Sequence, residues 1–150
     1  MLDPLSFEVR EKLLNRFPEW REHAREETEE SGSSYLAVFV PAPPEAQTPH
    51  GLCITTENAE ITVGFDHYHA HFGVISPMPN QIEPDALSFI EQIVGEEVAV
   101  VSWWEGQRWL GSSQLLPNER LSQPEWLVHL GGGLPRVRSW KGAHNHWSRT

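Results

Sequence analysis

The 150-residue chain has a single cysteine, Cys53. One thiol cannot make an internal disulfide, so a small stapled scaffold is excluded and a reducing cytoplasm is expected. Cys53 lies in the apolar run Gly51-Leu-Cys-Ile-Thr55, which reads as an ordinary buried thiol rather than a nucleophile. No stretch approaches the roughly 18 consecutive apolar residues of a membrane span. The opening Met1-Leu-Asp-Pro-Leu-Ser-Phe-Glu8 lacks the basic start and apolar core of a signal peptide, a second pointer to the cytoplasm. Several catalytic signatures are also missing. There is no Gly-x-Ser-x-Gly elbow, and no Gly-x-x-x-x-Gly-Lys phosphate loop, for Gly131-Gly-Gly133 is followed by neither lysine nor an apparent helix. Neither His-Glu-x-x-His nor Cys-x-x-Cys occurs. Nucleotide binding and nucleophilic catalysis are therefore not expected.

Cations are missing from most of the chain. Residues 1–25 hold five acids and five bases, residues 26–107 hold fourteen acids with no Lys or Arg, and residues 108–150 hold two acids and six bases, giving the net charge of −10. An 82-residue stretch without a fixed cation is expected to leave its carboxylates unneutralised locally and to present a negative potential. Such a field repels nucleic acid and anionic membranes, so neither is expected as a partner, and it attracts cations or a basic protein. Simple solubility is the plain account of the same charge. Arg136, Arg138, Lys141 and Arg149 could track a phosphate backbone, but in so acidic a chain pairing with the acidic half is the better expectation.

What is present reads as one α+β domain spanning residues 1–150. Asp3-Pro4 is a helix start, followed by Leu5, Val9, Leu13 and Phe17 at four-residue spacing. Pro18 ends that helix and can open a second, charged one running to Glu30. Tyr35–Val40 is a short apolar strand. Leu52–Thr56 and Ala59–Val63 flank Glu57-Asn58 as a hairpin, and Glu97–Trp104 with Arg108–Leu116 form another around Glu105-Gly106-Gln107. Residues 84–95 form an amphipathic helix ending at Gly95. Arg136–Lys141 alternates like an exposed edge strand. The expected fold is an antiparallel sheet built from hairpins, covered on one face by helices from the N-terminus and residues 84–95, leaving the other face to water or a partner.

The longest β-like run, Ile61 to Ile75, contains His67, His69 and His71 at alternate positions. In an extended strand all three leave one face. Fifteen residues is long for one strand, so a bend is expected near Gly64 or Asp66-His67. Two imidazoles at alternate positions with a carboxylate from elsewhere suit an open zinc or non-haem iron site, and a metal-dependent enzyme using His67, His69 and His71 is the alternative reading. His144-Asn-His146 is a second His-x-His. Solvent-facing histidines without metal are the simpler account. Set among carboxylates, they are expected to hold protons above the usual value of about 6.5. Seven tryptophans exceed ordinary use, and aromatic anchors are enriched at binding hot spots. Two or three are expected outside the core, with Trp104, Trp109 and Trp140 as the partner-facing set.

Glu60-Ile-Thr-Val-Gly-Phe-Asp-His-Tyr-His-Ala-His-Phe72, the later Val100-Val-Ser-Trp-Trp104 and the terminal Val137-Arg-Ser-Trp-Lys-Gly142 resemble immunity proteins of bacterial polymorphic and contact-dependent toxin systems. The resemblance implies a non-enzymatic cytoplasmic protein, without cofactor, that binds and neutralises one cognate toxin domain. An acidic surface would suit a basic toxin. The residues expected to form or border the interface are Glu57, Glu60, Asp66, His67, His69, His71, Trp104 and Trp109.

Overall fold

Asp3 caps a helix as its sequence requires. In the computed structural model, which describes residues 1–147, α1 spans Pro4–Arg16, and the Asp3 carboxylate accepts the Ser6 N–H at 2.8 Å. Val9, Leu13 and Leu14 form its buried stripe. Pro18 ends it, but no second helix runs to Glu30. Pro18–His23 is a 3-10 turn, and Ala24–Thr28 is strand β1, antiparallel to β2 (Ser34–Val40) from Ala24↔Val38 to Thr28↔Ser34. The charged run lacks an apolar face on which a helix could pack. At a sheet edge the same side chains stay solvated, and four of the five β1 residues are exposed.

β3 (Leu52–Thr55), β4 (Ile61–Phe65) and β5 (Tyr68–Phe72) complete a five-stranded sheet in the order β1-β2-β3-β4-β5. The hairpin at Glu57-Asn58 turns through Asn58 and Ala59, both with positive φ. Register puts Val38, Ile54 and Val63 in one cross-strand row, all fully buried, while Phe39, Cys53 and Gly64 form the next row on the opposite face, where Phe39 is half exposed. Cys53 is half-buried, and burial pushes its thiol pKa up, which suits the inert role its neighbours suggest. Across the buried face, Ser6 Oγ on α1 meets Thr56 Oγ1 at 2.5 Å, and Thr56 Oγ1 also accepts the Leu36 N–H at 2.9 Å.

After a proline-marked loop, α2 (Ala86–Val94) follows, with the Asp85 carboxylate accepting the Ser88 N–H at 2.9 Å. A second antiparallel sheet contains β6 (Ala99–Glu105), β7 (Arg108–Leu115), β8 (Leu134–Arg138) and β9 (His146–Trp147), in the order β7-β6-β8-β9. β8 is thus an inner strand and not the exposed edge expected for Arg136–Lys141, because β9 returns to pair with it. Ala99, Val101, Trp103, Val137 and Leu127 from α3 (Glu125–His129) make the core on one face. Leu110 is an extra residue in β7, opposite the Trp103/Trp104 step, and this bulge twists the edge strand. Next to it the Trp126 indole packs on Gly111, where a Cβ would collide with the ring.

The fold is α+β with antiparallel, hairpin-built sheets, as expected, but there are two sheets. The chain forms two compact units: the first of Met1–Pro41, Gly51–Phe65 and His69–Glu91, the second of Ala42–His50, Asp66–Tyr68 and Gln92–Thr150. It passes between them five times, twice within an element, at Tyr68/His69 in β5 and Glu91/Gln92 in α2, which is why no linker marks the division in the sequence.

Candidate functional site

The histidine stretch is not one strand. β4 stops at Phe65, Asp66 takes a left-handed φ of 54°, and β5 begins at Tyr68. The bend falls at one of the two places expected, and it falls at a residue type that tolerates left-handed backbone. It removes His67 from the alternating row: His67 lies in the turn, and only His69 and His71 remain in β5.

The turn belongs to the second unit, where it meets one face of the β6–β8 pair. Ser102, Trp104 and Arg136 share that face, since Ser102 pairs with Arg136 and Trp104 lies two residues along β6. Arg136 Nη2 donates to Asp66 Oδ1 at 2.6 Å, and the Thr48 hydroxyl donates to the same oxygen at 2.6 Å. The Asp66 side chain is fully buried and that of Arg136 nearly so. Asp66 Oδ2 and Arg136 Nε are buried without a hydrogen-bond partner. The Asp66 N–H donates to the His50 carbonyl at 3.0 Å, tying residues 42–50 to the turn. Beside Arg136, the Arg138 guanidinium donates to the carbonyls of Gln47, Val137 and His146. Burial lowers its pKa, as does Arg136, against the pull of Asp66.

His67 sits among three rings. His50 and Trp104 approach it edge-on, with centroids at 4.9 and 5.0 Å, and Trp109 lies near-parallel at 6.2 Å. The Arg136 guanidinium stands 5.3 Å from the Trp104 ring centre. Both indole N–H groups are satisfied, Trp104 by Ser102 Oγ and Trp109 by Ser112 Oγ, each at 2.8 Å. Trp109 is nevertheless 50% exposed and His50 is exposed, so the cluster has a solvent face held in a fixed geometry. Burial lowers the His67 pKa, and the charges of Arg136 and His50 lower it further, against the Asp66 carboxylate. The expected upward shift is thus reversed here, because burial, together with Arg136 and His50, outweighs the pull of the Asp66 carboxylate.

The remaining expected site residues lie in the first unit. His71 Nδ1 is 3.2 Å from the Glu60 carboxylate and 3.0 Å from Thr62 Oγ1 on β4, and its ring meets that of His69 at 5.1 Å. Both histidines, Glu57 and Glu60 are exposed. Glu57, Glu27 and Glu29 converge on Tyr35: its phenol pKa is raised by burial and then by these three carboxylates. The structure therefore groups Asp66, His67, Trp104 and Trp109 in one unit, and Glu57, Glu60, His69 and His71 in the other. Among the described residues, no three His, Cys, Asp or Glu side chains form a group that could hold a metal ion. The ligand row depended on a strand that the Asp66 turn interrupts.

Trp140 does not belong to a partner-facing set: it is buried at 6% exposure. Trp126, at 42%, is an exposed indole that sequence reasoning missed. Thr48, His50 and Arg136 were also missed as members of the cluster, and they lie 18, 17 and 70 positions from their partners in the turn. The pairing of terminal cations with the acidic half does occur at Arg136. Arg149 lies outside the described residues. The cation-free stretch is also less unneutralised than its sequence implies, since Glu26 pairs with the N-terminal ammonium at 2.6 Å, Glu91 with Arg16 at 3.3 Å, and Asp66 with Arg136. No helix among the described residues is long and apolar enough to cross a membrane. Comparison with protein-family models, with curated proteins and with solved structures returns no match.

Proposed function

We propose that the protein is a non-enzymatic bacterial immunity protein, acting in the cytoplasm, that binds and neutralises a basic toxin domain. The observation that carries this reading is the segregation of charge. The first unit holds fourteen acids against five bases, and the second holds seven against six, so nearly all of the −10 net charge belongs to the unit built on the five-stranded sheet. Its exposed Glu27 and Glu57, together with Glu29, form the carboxylate group around Tyr35. A field of this sign speeds encounter with a basic partner and discriminates against anionic ones such as nucleic acid or membrane surfaces. Glu60, His69 and His71 lie on exposed positions of the same unit and would border the contact. In the second unit, the fixed and half-exposed Trp109 has the character of an interface anchor.

The test is co-purification of the tagged protein with the product of the neighbouring gene, followed by calorimetric titration of the pair. A stable complex is expected whose affinity drops tenfold or more when salt is raised, and drops similarly on the double reversal Glu27→Lys/Glu57→Lys. Failure to bind any basic protein encoded alongside it, or binding indifferent to both salt and reversal, would overturn the reading.

A further inference from the structure

We propose that the Asp66–His67 turn is a proton-operated latch: neutral His67 packs among His50, Trp104 and Trp109, and protonation of its ring makes that packing rearrange. The proposal concerns the free protein and does not depend on a toxin partner. Every element against the ring contributes. Asp66 comes from its own turn, Arg136 from β8, His50 and Thr48 from residues 42–50, Trp104 from β6 and Trp109 from β7. The remaining charges nearby are engaged elsewhere: Glu105 and Arg108, at the β6–β7 turn, face each other at 3.4 Å, and Arg138 is bound to three backbone carbonyls.

The cluster suits a neutral ring. Edge-on contacts with His50 and Trp104, and the near-parallel Trp109, are favourable for an uncharged aromatic. A proton on His67 adds a cation beside Arg136 and beside His50, with a single carboxylate available to offset it. On that carboxylate, Oδ1 already accepts from Arg136 and from Thr48, while Oδ2 is buried and has no partner. A buried acceptor without a donor is costly, and it is the unfilled position to which a charged His67 N–H can turn. Turning there moves the ring away from Trp104 and alters the support of Trp109, the half-exposed indole of this face. Burial, Arg136 and His50 together hold the His67 pKa below its ordinary value, so the latch is closed at neutral pH and opens in mild acid.

Two-dimensional NMR of the intact protein tests this directly, by following the imidazole signal of His67 and the indole N–H signals of Trp104 and Trp109 through a pH titration. The ring is expected to titrate with a midpoint below 6.5, and both indole signals to move with that same midpoint. His67→Gln should abolish the indole response in that range, and His50→Gln, at an exposed position, should raise the His67 midpoint by removing a neighbouring positive charge. Indole signals that ignore the His67 titration, that still titrate in His67→Gln, or a midpoint at or above 6.5, would overturn the latch. Should His67→Gln not fold, the coincidence of midpoints in the native protein and the shift in His50→Gln decide the matter alone.

Discussion

Arg136 Nη2 lies 2.6 Å from Asp66 Oδ1, although the two residues are 70 positions apart in the chain. The contact fastens a two-residue turn between β4 and β5 to an inner strand of the second sheet. Asp66 and Arg136 belong to the same compact unit, even though Phe65 and His69, on either side of the turn, belong to the other. The chain therefore contributes three residues, Asp66 to Tyr68, to a unit that is otherwise built from residues 42–50 and 92 onward.

The first prediction concerns this pair. Asp66→Asn keeps a side chain that tolerates the left-handed backbone but removes the charge, leaving the Arg136 guanidinium buried without a counter-ion. Breaking a buried pair from one side is expected to cost about 3 kcal/mol or more, whereas removing both charges together should cost less than the sum of the two single losses. Urea unfolding of Asp66→Asn, Arg136→Met and the double variant measures this. A double variant as damaged as the sum of the singles would mean that the two side chains act independently.

Thr56 supports a second prediction, confined to the first unit. Its hydroxyl is buried, touches Ser6 Oγ and accepts the Leu36 N–H. Thr56→Val preserves shape but leaves that N–H without an acceptor, which should cost about 1–3 kcal/mol. Ser6→Ala removes only one partner of the pair and should cost about 1 kcal/mol. Equal losses from the two substitutions would show that the Leu36 contact contributes little.

The first helix, both hairpins and α2 were legible in the sequence because local signals determined them. Asp3-Pro4 fixes a cap, Gly106 fixes a turn, and Ala86, Ile90 and Ile93 keep a helical period. β1 was not legible, since a run such as Ala24-Arg-Glu-Glu-Thr28 has no pattern of its own and becomes a strand only because β2 offers an edge. The site was half legible. Histidine spacing drew attention to the correct turn, but the spacing was itself the misleading feature, for the turn removes His67 from the row. Arg136, Thr48 and His50 could not be foreseen as its neighbours, because tertiary folding alone brings them to Asp66 and His67. Trp140, among charged neighbours in sequence, is buried by the same long-range packing.

Gly142 and Gly106 give a paired prediction about backbone. Both have positive φ, 79° and 60°. At Gly142 a Cβ would collide with the Glu45 carbonyl oxygen, whereas at Gly106 it would meet nothing. Gly106→Ala should therefore cost only the left-handed backbone term, about 1 kcal/mol. Gly142→Ala adds a clash with backbone and should lose clearly more, read as a lower unfolding midpoint in urea. Equal losses would mean that the loop at residues 139–145 yields freely.

That loop also carries the pH prediction. Glu96 accepts the N–H groups of Lys141 at 2.6 Å and Ala143 at 3.1 Å. Burial of Glu96 opposes ionisation, but those two backbone donors, Ser139 and His144 outweigh it, and its folded pKa lies below the ordinary 4.5. The sign follows from proton counting. Between the two pKa values the unfolded chain binds more protons than the folded one, so stability rises with pH in that window. The contribution of Glu96 is fully present above 4.5 and is lost as pH falls through the lower folded value. Glu96→Gln retains an oxygen acceptor but cannot titrate. The stability difference between the native protein and Glu96→Gln is therefore expected to be largest at pH 7 and to shrink as the pH falls toward about 3, whatever the other carboxylates do in common. Urea midpoints collected across that range for both proteins provide the measurement. A difference that stays constant down to the lowest pH would show that the two N–H donors do not favour the charged form, and that the fold of the loop rests on the Asn145 and Ser139 contacts instead.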